Sequence, residues 1–100
     1  MMNKKHPQVP ETLSSWAQDE YSKWLYWKEE GNQPAHDENV EDELHRTLYD
    51  KEFRKVALDT WSRKQYIDFR KRMMEMTFKT AYYAEVINWL ARWNALFEYR

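Results

Sequence analysis

The residues best suited to hold a metal ion stand near the middle of the chain. Asp42 and His45 are three positions apart, a spacing that places both side chains on one face of a helix, and Glu38 and Glu41 precede them. Carboxylate-bridged di-metal bundles use such an acid-x-x-His pair twice, together with further glutamates. Since the chain contains this pair once, we interpret the segment as an exposed acidic helix start with a surface histidine. We expect no bound metal and no other cofactor.

The serines do not form a pattern typical of nucleophilic catalysis. Ser14, Ser15, Ser22 and Ser62 all fall within predicted helices or at their starts, where a hydroxyl satisfies free backbone amides. The chain has no cysteine to supply a thiolate. Its single glycine, Gly31, leaves no glycine-rich loop to cradle a phosphate. We therefore predict that the protein is not an enzyme.

A third group of residues has the composition of a nucleic-acid-binding surface. Basic and aromatic residues are interleaved in the order Trp61, Arg63, Lys64, Tyr66, Phe69, Arg70, Lys71 and Arg72. Cations neutralise phosphates and rings stack on bases. However, a formal net charge of -1 and a pI near 6.3 are not the basic footprint of such a domain. A nucleic-acid-binding regulatory protein is therefore an alternative, and the same cations are candidate contacts for a protein partner.

Charge is distributed unequally along the chain. Residues 1–50 carry five Lys/Arg against eleven Asp/Glu, a net charge of -6, whereas residues 51–100 carry eleven against six, a net charge of +5. One interpretation is that the acidic second helix lies beside the basic face within the molecule, through exposed pairs worth about 0 to 1 kcal/mol each. The other is that one of the charged surfaces meets a partner and sets its orientation and association rate.

Aromatic residues are the most unusual part of the composition. The 100 residues include six Trp, seven Tyr and four Phe, although the mean hydropathy is -1.08. So many rings provide enough apolar surface to offset the ordering entropy of the chain, and we expect a folded protein. Pro7, Pro10 and the absence of periodicity predict an extended N-terminal arm over 1–10, followed by one domain over 11–100.

The sequence contains no pattern typical of a membrane or secretory segment. Lys4 and Lys5 are not followed by an apolar run, and no stretch approaches the ~18 apolar residues of a transmembrane helix. We therefore expect a cytoplasmic protein without membrane contact.

The elements that position these residues are predicted to be helices. Apolar residues over 13–30 recur at the helical period and predict a first helix that ends in a left-handed C-cap at Gly31. The acidic second helix is expected to bury a stripe of Val40, Leu44 and Leu48.

The chain contains no Gly or Pro from residue 35 to residue 100. One helix of that length would extend about 100 Å, far beyond a compact domain of this size. Polar residues must therefore interrupt it, and we favour a break at Asp50 over one near Thr60.

The last third of the chain has the most regular pattern. Steps of three and four join Tyr66, Phe69, Met73, Met76, Thr80, Tyr83, Ile87, Leu90, Asn94 and Phe97. This heptad predicts a long C-terminal helix, and a second apolar stripe over 78–96 predicts that this helix is buried from two sides. We expect an all-α bundle of three to four helices around it. A homodimer with coiled-coil-like packing, serving as an assembly protein, is a further alternative.

The rings exceed what such a core needs. Trp24, Tyr26 and Trp27 cannot all point the same way on one helix, so some of them, with Trp89 and Trp93, are expected to face a partner. We predict a small protein–protein interaction protein: an adaptor, regulator or inhibitor that binds a larger protein or enzyme. Compact inhibitors that viruses and mobile elements direct against host enzymes have this general character.

Overall fold

The computed structural model describes residues 5–99 and consists of α-helices joined by short turns. The helices are α1 (Ser15–Glu29), α2 (Glu38–Thr47), α3 (Lys51–Thr60), α4 (Arg63–Thr77) and α5 (Tyr83–Glu98). The predicted all-α fold is confirmed, but the number of helices is wrong: the described residues form five rather than three or four. Their Cα radius of gyration is 14.0 Å, close to the value of about 13 Å expected for a compact domain of this length.

Two predictions for the first half of the chain are confirmed. Gly31 has a φ of 95°, and its N–H donates to the carbonyl oxygen of Lys28 at 3.0 Å, so α1 ends in a left-handed C-cap. On α2, the stripe of Val40, Leu44 and Leu48 is buried. These features were predictable because caps and helical stripes depend on neighbours within one or two turns.

The middle of the chain breaks at both candidate positions. Asp50 accepts the N–H groups of Glu52 at 2.9 Å and Phe53 at 3.2 Å, which caps the start of α3. Ser62 and Gln65 form a reciprocal capping box at the start of α4. Each segment therefore carries its own N-cap, and a continuous helix would lose these hydrogen bonds.

The prediction of one long C-terminal helix from the heptad is wrong, because the pattern covers two helices, α4 and α5, that form an antiparallel hairpin. The Tyr66 hydroxyl on α4 donates to the carbonyl oxygen of Leu90 on α5 at 2.7 Å. The Tyr66 ring also stacks on Phe97, with 4.6 Å between the ring centroids. Since the seam closes on itself within one chain, its buried residues are already covered without a second copy.

A threonine forms the turn of this hairpin, in place of the glycine or proline that usually ends a helix. The Thr80 hydroxyl donates to the carbonyl oxygen of Thr77 at 2.7 Å and accepts the N–H of Tyr82 at 3.2 Å. Two distant segments hold the same turn: Ala35 bridges to Thr80, and the Trp24 indole N–H donates to the Thr80 carbonyl oxygen at 3.2 Å.

Helix α5 lies at the centre of the molecule and packs into two apolar clusters. The larger cluster joins it to α2, α3 and α4, and includes the fully buried Leu90 and Trp93. The smaller cluster joins Tyr83 and Ile87 to α1. Packing on both sides of α5 fixes the direction in which its remaining, partly exposed residues point.

Part of the predicted N-terminal arm packs against α1. The His6 N–H donates to the Ser22 hydroxyl at 2.8 Å, and the buried His6 imidazole contacts the Glu29 carboxylate. Val9 is also buried, in the smaller cluster. Residues 1–4 of that arm lie outside the described residues.

Candidate functional site

An open groove with a volume of about 430 Å³ lies between α2 and α5. Its size is within the range of ligand-binding clefts. It is lined by Glu41, Leu44, His45, Tyr49, Tyr82, Glu85 and Trp89. We name it the acidic groove, because Glu41 on one wall and Glu85 on the other are exposed carboxylates.

Two helices place these side chains opposite each other. Asp37 caps α2 by accepting the N–H groups of Asn39 at 2.9 Å and Val40 at 3.4 Å, and the buried stripe of α2 packs against α5. Glu41 and His45 are one turn apart on α2, and Glu85 and Trp89 are one turn apart on α5. Residues spaced by four share a helix face, so each helix contributes one carboxylate and one ring to the groove.

Aromatic contacts hold the walls of the groove in place. The Tyr49 ring lies 5.2 Å from Trp89 and 5.3 Å from His45, measured between centroids. Tyr82 makes an edge contact with His36 at 6.1 Å. Because these rings restrain one another, the groove presents a largely preformed aromatic surface.

The electrostatic environment of the groove is negative. The Tyr82 hydroxyl donates to the Glu41 carboxylate at 3.3 Å. The pKa of Tyr82 is raised above its ordinary value, first by partial loss of hydration, then by the charge and hydrogen bond of Glu41 and by the charges of Asp37 and Glu38. These carboxylates together oppose the formation of another negative charge and favour a cation.

The basic half of the chain does not neutralise this surface through ion pairs. Within residues 5–99, each Lys or Arg ion pair joins two residues of the same half of the chain: Lys5–Asp19, Lys23–Glu20, Arg46–Glu43, Arg63–Glu98 and Lys64–Asp68. The acidic second helix is therefore not paired with the basic face inside the described part of the molecule. Its charge is available to a partner.

The aromatic residues predicted to meet a partner have different positions. Trp93 is fully buried, and its ring stacks on that of Phe69 with 5.2 Å between the centroids. Trp24 is 6% exposed, and its indole N–H donates to the Thr80 carbonyl oxygen in the hairpin turn. These two indoles belong to the core, and we exclude them from the candidate site. Trp89 is half-buried and lines the acidic groove.

Tyr26 and Trp27 lie on a second, broader depression of about 1160 Å³ along α1. Tyr26 is exposed, whereas Trp27 is half-buried with its ring 5.6 Å from that of Phe78. Both lysines of this surface pair with its carboxylates, Lys5 with Asp19 at 3.9 Å and Lys23 with Glu20 at 3.2 Å, and Glu30 is left without an ion pair within the described residues. Its excess of negative charge is therefore smaller than that of the acidic groove, which has two carboxylates and no lysine or arginine in its lining.

The basic residues predicted as partner contacts are spread over α4. Arg63, Lys64, Lys71 and Arg72 are exposed, and the rings of Tyr66 and Phe69 between them are buried in the hairpin. A stack of bases on those two rings would require the hairpin to open. A nucleic acid could therefore contact these exposed cations through its phosphates, but it would find no exposed ring between them on which to stack its bases.

Arg70 differs from the other basic residues because it is half-buried. Its guanidinium lies 4.1 Å from the centroid of the Trp16 ring, and one of its nitrogens donates to the Asn94 side chain at 2.9 Å. Arg70 thus packs α4 against both α1 and α5. Its position is that of a structural residue rather than a contact for a partner.

The acidic residues and the histidine of α2 that were weighed as metal ligands do not converge with further ligands. Asp42 and His45 are both exposed on α2. Among residues 5–99, no three His, Cys, Asp or Glu side chains come close enough together to hold a metal ion. His45 instead packs its ring edge against Tyr49.

Of the seven residues that line the acidic groove, Trp89 alone was predicted as a partner contact; the other six, which include Tyr49 and Tyr82, were not. These two tyrosines lie immediately outside helices, in the turns before α3 and α5. Helical periodicity placed Tyr82 in the apolar stripe over 78–96 of one continuous helix, and it does not extend into turns, so it did not predict where these two rings would point. Tyr49 follows the acidic segment of α2 in the sequence, whereas the residues around Tyr82 form no acidic run.

Comparison with protein families, with curated proteins and with solved structures gives no match to this chain. None of the helices within the described residues has the length and apolar content needed to cross a lipid bilayer.

Proposed function

We propose that the protein is a small protein–protein interaction protein, an adaptor, regulator or inhibitor that binds a larger protein. The observation that supports this most is the acidic groove, where the rings of Tyr49, Tyr82 and Trp89 stand beside the carboxylates of Glu41 and Glu85. Tyr and Trp are enriched at protein interfaces because they combine large contact areas with a polar tip.

The separation of charge supports the same function. Within residues 5–99, no Lys or Arg ion pair joins the acidic half of the chain to the basic half. Both surfaces therefore retain an electrostatic field that can orient an approaching protein. In this proposal α2 supplies the charge of the docking surface, α5 supplies its half-buried indole, and the two apolar clusters keep both helices rigid. Inhibition of an enzyme is one form that such binding can take.

Two alternatives have less support. A nucleic-acid-binding protein would use the exposed cations of α4, but Tyr66 and Phe69 are buried there. A coiled-coil assembly protein would need the heptad, most of whose apolar residues are buried within this chain, in the α4–α5 hairpin or against α1.

The test is affinity capture by the full-length protein from lysate of the cells that produce it. The comparison uses the groove variant Glu41→Lys/Glu85→Lys and the matched surface variant Lys71→Glu/Arg72→Glu. We expect a protein that binds the wild type and the α4 variant, is lost with the groove variant, and rebinds as a purified component. Retention of nucleic acid alone, or equal retention of the same protein by both variants, would contradict the proposal. Circular dichroism checks that both variants remain helical.

A further inference from the structure

We propose that the acidic groove binds an arginine side chain from a basic segment of the partner protein. The guanidinium would pack against the rings of Tyr82 and Trp89 and donate hydrogen bonds to the carboxylates of Glu41 and Glu85. This inference rests on the proposed function and specifies the chemistry of the partner at that site.

The residue types of the groove are those that recognise a cation. The face of an aromatic ring attracts a positive charge placed within about 6 Å, most strongly for Trp. Carboxylates add charge-assisted hydrogen bonds, which are roughly twice as strong as neutral ones. Glu41, Glu85, Tyr82 and Trp89 line one cavity, so a single cationic group can use both kinds of contact at once.

A guanidinium fits this arrangement better than an ammonium. A guanidinium is planar, keeps its hydrogen-bond donors in its own plane and leaves its two faces free for stacking, whereas an ammonium is a compact and strongly hydrated point charge. The groove has carboxylates on two different helices, Glu41 on α2 and Glu85 on α5. The several donors of a guanidinium, held in one plane, suit two acceptors on opposite walls better than the single point charge of an ammonium does.

The protein itself places a guanidinium on one of these rings. The guanidinium carbon of Arg92 lies 5.0 Å from the centroid of Trp89. Arg92 is exposed and forms no ion pair within residues 5–99. The contact shows that the Trp89 ring is accessible to a guanidinium, and an arginine of the partner would replace Arg92 there.

Apart from Arg92, which lies on the Trp89 ring, no Lys or Arg of the described residues is placed at the groove: its lining residues include neither type. On α2, Arg46 is paired with Glu43 at 2.8 Å, and His45 packs against Tyr49. On α5, Glu85 has no ion pair in the described part of the chain. Glu41 and Glu85 thus form no ion pair within the described residues, and their negative charge matches a basic segment of another protein.

The experiment measures binding of short model peptides to the full-length protein by NMR, using the indole N–H signals of the six tryptophans. Three uncharged Gly/Ser peptides carry one central residue each: arginine, lysine, or citrulline, which keeps the shape of arginine without its charge. We expect the arginine peptide to bind about 10-fold more tightly than the citrulline peptide and severalfold more tightly than the lysine peptide. The Trp89 signal should shift most.

Two variants locate the site. Glu41→Gln/Glu85→Gln should weaken arginine binding about 10-fold. Glu75→Gln, which removes an exposed carboxylate from α4, should leave it unchanged. Equal affinities for the arginine and citrulline peptides, tighter binding of the lysine peptide, or the largest shift at another indole would each overturn the inference. Concentration-dependent self-association that the groove variant abolishes would also overturn it, by placing a second copy of the chain in the groove.

Failure of this inference is distinguishable from failure of the proposed function. If the captured protein depends on Glu41 and Glu85 but the arginine peptide does not bind, the protein binds its partner by other contacts and only the inference fails. If no partner protein is captured and the arginine peptide still binds, the groove is a guanidinium site and the proposed function fails.

Discussion

The Tyr66 hydroxyl donates a 2.7 Å hydrogen bond to the carbonyl oxygen of Leu90, and this bond crosses from α4 to α5 inside the larger apolar cluster. Burial of a phenol is tolerated there because its polar tip has a partner. The Tyr49 hydroxyl at the edge of the acidic groove is also buried, yet no partner for it exists within the described residues. The two tyrosines therefore contribute differently to stability.

We expect Tyr66→Phe to lower the free energy of unfolding by about 1 to 2 kcal/mol, because it removes a satisfied buried hydrogen bond. Tyr49→Phe should leave it unchanged or raise it slightly, since the hydroxyl is desolvated without compensation. Urea unfolding followed by circular dichroism measures both values. A loss at Tyr49 as large as that at Tyr66 would show that the Tyr49 hydroxyl has a partner in solution.

Alkaline pH should destabilise the fold through Tyr66. Burial raises the pKa of this tyrosine from 10.0 to about 12, with the Arg70 charge opposing the shift. The folded state therefore holds the phenolic proton more tightly than the unfolded state. This contribution is fully present below pH 10, and it is lost as the pH rises from 10 through 12, by an amount of about 2 to 3 kcal/mol at most.

Burial and the Glu20 carboxylate also raise the pKa of Tyr83, so it should act in the same direction. The measurement is the urea midpoint at several pH values between 8 and about 11.5. The variant Tyr66→Phe separates the contribution of Tyr66 from that of lysine deprotonation, because its urea midpoint should fall less steeply with pH than that of the wild type. An identical pH dependence in both proteins would rule out this role for Tyr66.

Two arginines on α4 test which basic residues are structural. Arg70→Ala should cost about 1 to 3 kcal/mol, because it removes the guanidinium from the Trp16 ring and from the Asn94 side chain. Arg72→Ala removes the same charge from an exposed site and should change stability by less than about 0.5 kcal/mol. Thermal unfolding of the two variants gives the comparison, and equal midpoints would refute the structural role of Arg70.

The turn after α1 should tolerate only residues that accept a positive φ. Gly31 has a φ of 95°, and a Cβ added there would meet no atom within 4 Å, so strain rather than collision decides the effect. Gly31→Ala should destabilise the protein by about 1 kcal/mol. Gly31→Asn should cost less, because asparagine enters the left-handed region more readily. Urea unfolding of both variants tests this order, which a purely steric effect would not produce.

Much of the fold could be predicted from local sequence. The caps at Gly31 and Asp50 act within a few residues, and the buried stripe of α2 repeats every turn. Periodicity failed at the C-terminal third, because a continuous helix and a hairpin whose halves face each other have the same spacing of apolar residues. The turn at Thr80 contains neither glycine nor proline, and tertiary contacts with α1 and with Ala35 select it.

The candidate site was less predictable than the fold. Trp89 and Trp93 are one turn apart in the same apolar stripe, yet Trp93 is fully buried and Trp89 lines the groove. Trp93 is covered by the rings of Phe53, Trp61 and Phe69, whereas Trp89 contacts Tyr49, and no local pattern encodes these contacts. The acidity of the region was visible in the sequence, whereas two of the rings that accompany it, Tyr49 and Tyr82, come from turns.

The hydrogen bond from Trp24 to the hairpin turn has a consequence for the order in which the chain acquires its structure during synthesis. Its two partners are 56 residues apart. Synthesis proceeds from the N-terminus, so Trp24 leaves the ribosome long before its acceptor, the Thr80 carbonyl oxygen, has been synthesised. Until then, much of the apolar face of α1 is not covered by the rest of the chain. We expect the nascent chain to gain protease resistance late, when α5 has emerged, rather than helix by helix.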